Sequence, residues 1–125
     1  MSLATESTII PITAGAAALT KGKVVMASSG TAIVTTGPTV AALGVVTEGC
    51  DANGTASVAV DGIVYVEVSA SGIAIGDNLA PTGSAGQCNK STTATHKAFA
   101  VALEASTAAG ELIKAKLGPG YIILA

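Results

Sequence analysis

The sequence predicts an all-β domain: a compact β-sandwich or barrel-like body built from a duplicated hairpin unit, with extended N- and C-terminal arms. Three observations predict it. Short runs rich in Val, Ile and Thr are broken at close intervals by Gly, Asn, Asp and Ser, the punctuation of strands and turns. Half of the residues are apolar but only 2% are aromatic, so the core must be thin layers of small and β-branched side chains. The third observation is a repeat. Laid over each other without a gap, Leu43 to Gly62 and Phe99 to Gly118 match Val45 with Val101, Glu48 with Glu104, Gly54 with Gly110, Ala59 with Ala115 and Gly62 with Gly118. Such self-similarity points to a scaffold made of repeated units rather than to a catalytic pocket.

Taken in order, the strands are expected near Thr8 to Ile12, Lys23 to Ala27, Ala32 to Thr36, Ala42 to Glu48, Thr55 to Val60, Ile63 to Val68, Asn78 to Ala80, Lys97 to Glu104 and Glu111 to Leu117. A last apolar run is Tyr121 to Leu124. The strongest local signal is Asp61-Gly62 between two β-rich runs, a dipeptide suited to the positive φ angles of a two-residue hairpin turn. Asp51-Ala52-Asn53-Gly54 predicts a second turn, and Ser106 to Gly110 the equivalent one in the second copy. The Ala-rich stretches allow at most a short helical turn near Ala16 to Leu19 or Ala70 to Ile75. Leu19 to Ala27 resembles Gly72 to Ala80 as a turn that launches a strand. The expected organisation is therefore an N-terminal arm at 1–17, one β-domain at 18–118 with pseudo-repeats 18–62 and 72–118, and a tail at 119–125. Gly118-Pro119-Gly120 is expected to break the chain before that tail.

The 125 residues suit a single domain. Charged residues are 11%, the net charge is −2, there is no Arg, and the six lysines are scattered. That is not a nucleic-acid footprint, which is basic and clustered. No run approaches the roughly 18 apolar residues that span a membrane, and Met1 to Thr13 lacks the pattern of a secretion signal. Cys50 and Cys88 have neither metal spacing nor a redox motif. They read as two free thiols in a protein made in a cytosol, with a disulfide left open.

Candidate chemistry is thin, and no cofactor or metal is expected. His96 is the single histidine, and Gly83-Ser84 lacks the Gly-x-Ser-x-Gly nucleophile elbow. Asp51-x-Asn53-Gly54 lacks the remaining ligands of a calcium loop and is explained by turn geometry. Glu48 and Glu104 could suggest a glycosidase pair, but duplication supplies a simpler origin: both mark the end of the same strand in two copies. Lys21-Gly22-Lys23 is not a phosphate loop, because Ala17 and Val24 stand where that motif needs Gly and Ser/Thr.

The chain ends carry more. Ile9-Ile10-Pro11-Ile12 and Tyr121-Ile122-Ile123-Leu124 are apolar and lie beside breakers. Each either closes the domain's own sheet or adds to a neighbouring subunit by strand addition. Ser7, Thr8, Ile9, Ile10, Pro11 and Ile12 are expected to touch a neighbour or a larger assembly, and Tyr121, Ile122, Ile123 and Leu124 to lie at a subunit seam.

The order of five runs gives a resemblance: Leu19 to Val25, Leu43 to Gly49, Asp61 to Val66, Ile75 to Leu79 and Ala100 to Ala105. Together they span most of residues 18–118, and the chain resembles the phage capsid cement, or decoration, proteins. Some members of that family carry a recombinase label, which would demand a nucleotide loop that this sequence lacks. The resemblance implies a non-enzymatic structural protein of the virion. It implies a homotrimer on the outer capsid surface that bridges copies of the major capsid protein and stabilises the shell, with no nucleic-acid or membrane partner. The competing reading is a β-sandwich ligand-binding module, carbohydrate-binding or adhesin-like. Three aromatic residues leave little for a sugar platform.

Overall fold

The computed structural model describes residues 8–83 and 85–123. It is all-β, with two five-stranded antiparallel sheets packed together as a sandwich. The first unit holds β1 (Ile9–Thr13), β2 (Val24–Ser28), β3 (Thr31–Val34), β4 (Gly44–Glu48) and β5 (Thr55–Ala59). The second holds β6 (Gly62–Glu67), β7 (Asn78–Pro81), β8 (Cys88–Lys90), β9 (Lys97–Ala102) and β10 (Leu112–Ile123). The sheet orders are β1-β5-β4-β2-β3 and β6-β10-β9-β7-β8, the same order advanced by five strands.

The likeness reaches individual hydrogen bonds. Gly22 N–H donates to Val46 O at 2.8 Å, and Gly76 N–H to Ala102 O at 2.8 Å. Val46 N–H donates to Lys23 O, and Ala102 N–H to Asp77 O, both at 2.9 Å. Parallel bridges Ala14↔Ala32 and Val68↔Cys88 tie the first strand of each unit to its third, so each sheet curls on itself. The interiors correspond too: Val25, Val46 and Val58 in the first unit, Leu79, Ala102 and Ala115 in the second. Curled sheets have narrow interiors, and small and β-branched side chains fill most of them, with Phe99 as a buried ring in the second unit's cluster.

Three expectations change. The Asp61-Gly62 turn is not a hairpin. Gly62 has the expected positive φ of 88°, but β5 pairs β1 and β4 whereas β6 pairs β10. The dipeptide is the crossover between units, because each first strand must reach the last strand of its own unit. The chain does not break at Gly118-Pro119-Gly120 either: β10 continues to Ile123 across a register shift between Leu117 and Ile122. β8 was not foreseen, since Cys-Asn-Lys offers no β-branched residue. Among the described residues there is no helix, and Leu19 and Ile73 instead make equivalent backbone contacts with Cys50 and Ser106.

The register also corrects the repeat. Val46 pairs Val58, and Ala102 pairs Ala115, so Val58 rather than Ala59 corresponds to Ala115. The second hairpin has one residue more between these paired positions than the first, which makes the one-residue slip. The repeat also starts earlier than residue 18, because β1 stands to β5 as β6 stands to β10.

The seam between the units is not symmetric. Val24, Val45 and Ala59 lie on the outer face of the first sheet, yet they are fully buried in one cluster with Val64, Val66 and Leu117 of the second unit. Val24 N–H donates to Gly86 O at 2.7 Å, Glu67 N–H to Gly22 O at 2.9 Å, and Lys97 N–H to Pro38 O at 2.8 Å. At its border the Lys23 ammonium meets the Glu67 carboxylate at 2.8 Å, and Gln87 Nε2 donates to the same oxygen at 2.7 Å. Partial burial raises the Glu67 pKa, but the hydrogen bonds from Lys23 and Gln87 and the Lys23 charge outweigh it, so the net shift is downward.

Glu67→Gln is therefore expected to cost about 1–2 kcal/mol at pH 7. The folded carboxyl titrates below its ordinary value of 4.5, so its contribution is complete above that value and fades as pH falls through the folded pKa. Melting curves of the two proteins should converge in acid; a gap that stays constant down to pH 2 contradicts the clamp. A second comparison isolates the seam. Gly22 and Gly76 both have positive φ (91° and 95°), but a Cβ on Gly22 overlaps the Leu112 side chain while nothing lies within 4 Å of one on Gly76. Gly22→Ala should cost about 2 kcal/mol and Gly76→Ala about 1 kcal/mol in denaturant titrations of the isolated chain; equal losses contradict the packing described.

Candidate docking surface

The outer face of the second sheet is laid out by β6, β10 and β9. Tyr65 pairs Lys114 across β6 and β10, and Leu103 N–H donates to Lys114 O at 2.9 Å from the far side. One row thus reads Tyr65, Lys114, Leu103, and the next reads Ile63, Lys116, Val101. Tyr65 is 47% exposed, Leu103 and Val101 37% each. Alternation along each strand puts Val64, Val66, Ile113 and Ala115 inside and these residues outside. Glu104 holds the end of the row, its Oε1 accepting Lys114 N–H at 3.0 Å.

The first unit has no such row. At the positions of Tyr65 and Lys114 it carries Pro11 and Ser57, and across β4 Ser57 is paired with Glu48, with Thr47 in the bulge beside it. At this row two units with one backbone plan thus differ, proline and polar in the first and apolar around a lysine in the second, while the neighbouring row of the first, Ile9, Ala59 and Val45, runs into the buried seam. Exposed apolar groups beside a cation offer a partner area to bury and a charge to pair.

The residues expected at the chain ends are placed as follows. Thr8 N–H and Oγ1 donate to the two Asp61 carboxylate oxygens at 2.8 and 3.1 Å. Ile9 and Pro11 point outward, and Ile10 and Ile12 pack on the first interior. The backbone of Ile122 and Ile123 pairs with Ala98 and Lys97 of β9, and Tyr121 lies in the same strand. Ser7 and Leu124 lie outside the described residues.

The remaining motifs resolve into local structure. Glu48 Oε1 accepts the Ser57 hydroxyl at 3.5 Å, and Ser57 occupies the position of Lys114, so the two glutamates reach equivalent places on neighbouring strands. Asn53 takes a φ of 62°, and Gly54 N–H closes the turn on Asp51 O at 2.9 Å. Among the described residues no group of three or more His, Cys, Asp or Glu could hold a metal ion. His96 Nδ1 lies 2.7 Å from Ser91 Oγ beside a groove of about 290 Å³ that includes Pro38, Ala80, Pro81 and Lys90. Thr93 N–H donates to the same Ser91 oxygen at 3.2 Å, so the pair braces its own loop.

The family model described as phage cement protein matches residues 4–117. The chain belongs to the phage cement protein family. It is a structural protein of the phage virion, associated with the capsid, and the family points to a non-enzymatic role. No curated protein matches it. Among solved structures, the N base of the head fiber gp8.5 of bacteriophage phi29 is similar in fold, with a TM-score of 0.68 at 17% identity, over 92% of this chain and 98% of that one.

Both cysteines of this cement protein are free thiols, Cys88 buried and Cys50 half-buried. Burial, reinforced by the Glu67 charge, pushes the Cys88 thiol up to about 12. A thiol-reactive dye at pH 8 should label Cys50 alone in the native protein and both after denaturation. Rapid labelling of two native thiols contradicts this burial.

Proposed function

We propose that the protein binds the outer surface of a phage capsid as a homotrimer and stabilises the shell by bridging major capsid proteins. Family membership supports the setting, and one observation carries the mechanism. The Tyr65–Lys114–Leu103 row is where the second unit departs from the first, and it departs toward apolar bulk and positive charge. A scaffold with no need of either at that position carries both in its second unit. The row offers apolar area for burial and a lysine to pair with a carboxylate on the capsid exterior. Three copies of a modest contact, held at fixed spacing, bind far more tightly than one, and a ligand that binds only the assembled shell stabilises it by mass action.

Residues 7–12 and 121–124 are secondary contacts in this reading. Ile9 and Pro11 are outward on an edge strand, open to strand addition. Truncation through residue 12 is a poor test, because it removes Ile10 and Ile12 from the first interior and should unfold the unit. Removal of residues 1–7 leaves β1 and the Thr8–Asp61 contact in place.

The test is cosedimentation with heads that lack this protein. Tyr65→Ala combined with Leu103→Ser should reduce binding at least tenfold, and Lys114→Glu at least fivefold, with melting temperatures close to that of the parent. Parent-like affinity in both variants overturns the docking row; failure of the parent protein to bind any head surface overturns the function.

A further inference from the structure

A duplicated chain joined by an asymmetric seam leaves one half of that seam unused at each end. The first unit gives the seam its outer face and the turn at Gly22; the second gives the β6 edge and the turn at Gly86. The second unit carries its own copy of the first half, the turn at Gly76 with Asn78, Val101 and Lys116. The first unit carries its own copy of the second half, the β1 edge and the turn at Gly30.

The glycines show which copies are occupied. A Cβ on Gly86 would lie 2.9 Å from Val34, and one on Gly22 would overlap Leu112, whereas Gly76 and Gly30 have nothing within 4 Å. All four have positive φ, so the backbone is alike and only the neighbour differs. The side chains agree. Ile75, at the tip of the Gly76 turn, is 70% exposed, Val101 is 37% exposed where its counterpart Val45 is fully buried, and Ile9 on β1 is 50% exposed.

We propose that the Gly76–Val101 face of one copy docks head to tail on the β1 edge of a second copy, repeating the internal seam between molecules. In the internal seam Gly22 sits over the paired residues Glu67 and Leu112; in the repeated one Gly76 sits over the equivalent pair Thr13 and Thr55. The contact is heterologous, so it closes into a ring when the rotation permits, and three copies present six units around one axis. The repeated seam is weaker than the internal one. Asn78 and Lys116 replace Val24 and Ala59, and Asp77 and Thr13 replace the Lys23–Glu67 ion pair. It has no salt bridge at that position, and its affinity there is insensitive to ionic strength.

This rests on the reading that the chain self-associates, and it specifies the faces that meet. The test uses the full chain with Cys50→Ser, the residue that the second unit itself carries at Ser106. Thr13→Cys combined with Gly76→Cys should form intermolecular disulfides at least fivefold faster than either single variant; Ile75→Cys replaces Gly76→Cys if the positive φ impairs folding. Ile75→Asp with Val101→Asp should reduce the light-scattering mass to one chain while the melting curve is kept. Single-cysteine variants that crosslink as fast as the pair indicate a symmetric contact and overturn the proposal. So does an assembly that survives the aspartate variant, or a parent protein that is a monomer. Head binding is scored separately: a monomer that binds heads sinks this seam and leaves the cement function standing, and a head-to-tail assembly that ignores heads does the reverse.

Discussion

The constraint on which the rest depends is the burial of one face of the first sheet beneath the second unit. Val24, Val45 and Ala59 are fully buried there. Each buried valine contributes about 1.5–2 kcal/mol, a large share of the stability of a domain with three aromatic residues. Two curled five-stranded units with small-residue interiors have little surplus each. The seam joins them into one core, and the backbone bonds at Gly22, Val24 and Lys97 fix the angle at which they meet. The sandwich therefore follows from the seam rather than from either sheet alone.

Much of the fold was legible because strand signals are local. Alternating Val and Thr with Gly and Asn punctuation placed eight of the strands to within a few residues, and the start of β10. What stayed hidden was pairing, which is not local. Asp61-Gly62 has the chemistry of a tight turn and uses it, as the φ of Gly62 shows, yet the strands on either side belong to different sheets. Turn chemistry fixes a backbone reversal; partner choice is fixed by which edge has apolar surface left to cover. For β6 that edge is β10, as for β1 it is β5. Cys88 to Lys90 was missed for the converse reason: β8 is held by its neighbour β7 and by the bridge at Val68 rather than by its own propensity.

The glutamates illustrate how a repeat removes a false lead. Two carboxylates in a small domain invite a catalytic reading. Here each reaches the same place on the next strand of its own unit, Glu48 toward Ser57 and Glu104 toward Lys114. They are one structural position inherited twice, in separate sheets. Duplication accounts for their spacing without any substrate.

The same logic, run in the other direction, locates the docking row. Where two copies of one unit agree, the shared requirement is the fold; where they disagree at an outward position, the fold imposes little, and the surface is free to serve a partner. The gapless alignment hid this. It set Lys114 against Val58, an inward residue, and made the difference look like noise in the core. The second hairpin carries one residue more between its paired positions, Ala102 to Ala115 against Val46 to Val58, which shifts the match by one residue, and in a strand one residue is the difference between the two faces. With the register corrected, Lys114 stands against Ser57 and Tyr65 against Pro11, both outward, and Leu103 against the bulged pair Thr47 and Glu48. The interior pairs meanwhile become apolar against apolar: Ala56 with Ile113, Val58 with Ala115. A one-residue difference in hairpin length thus separates substitutions that keep the core from substitutions that change an outer face. That surface is the part of the molecule that stability alone does not explain.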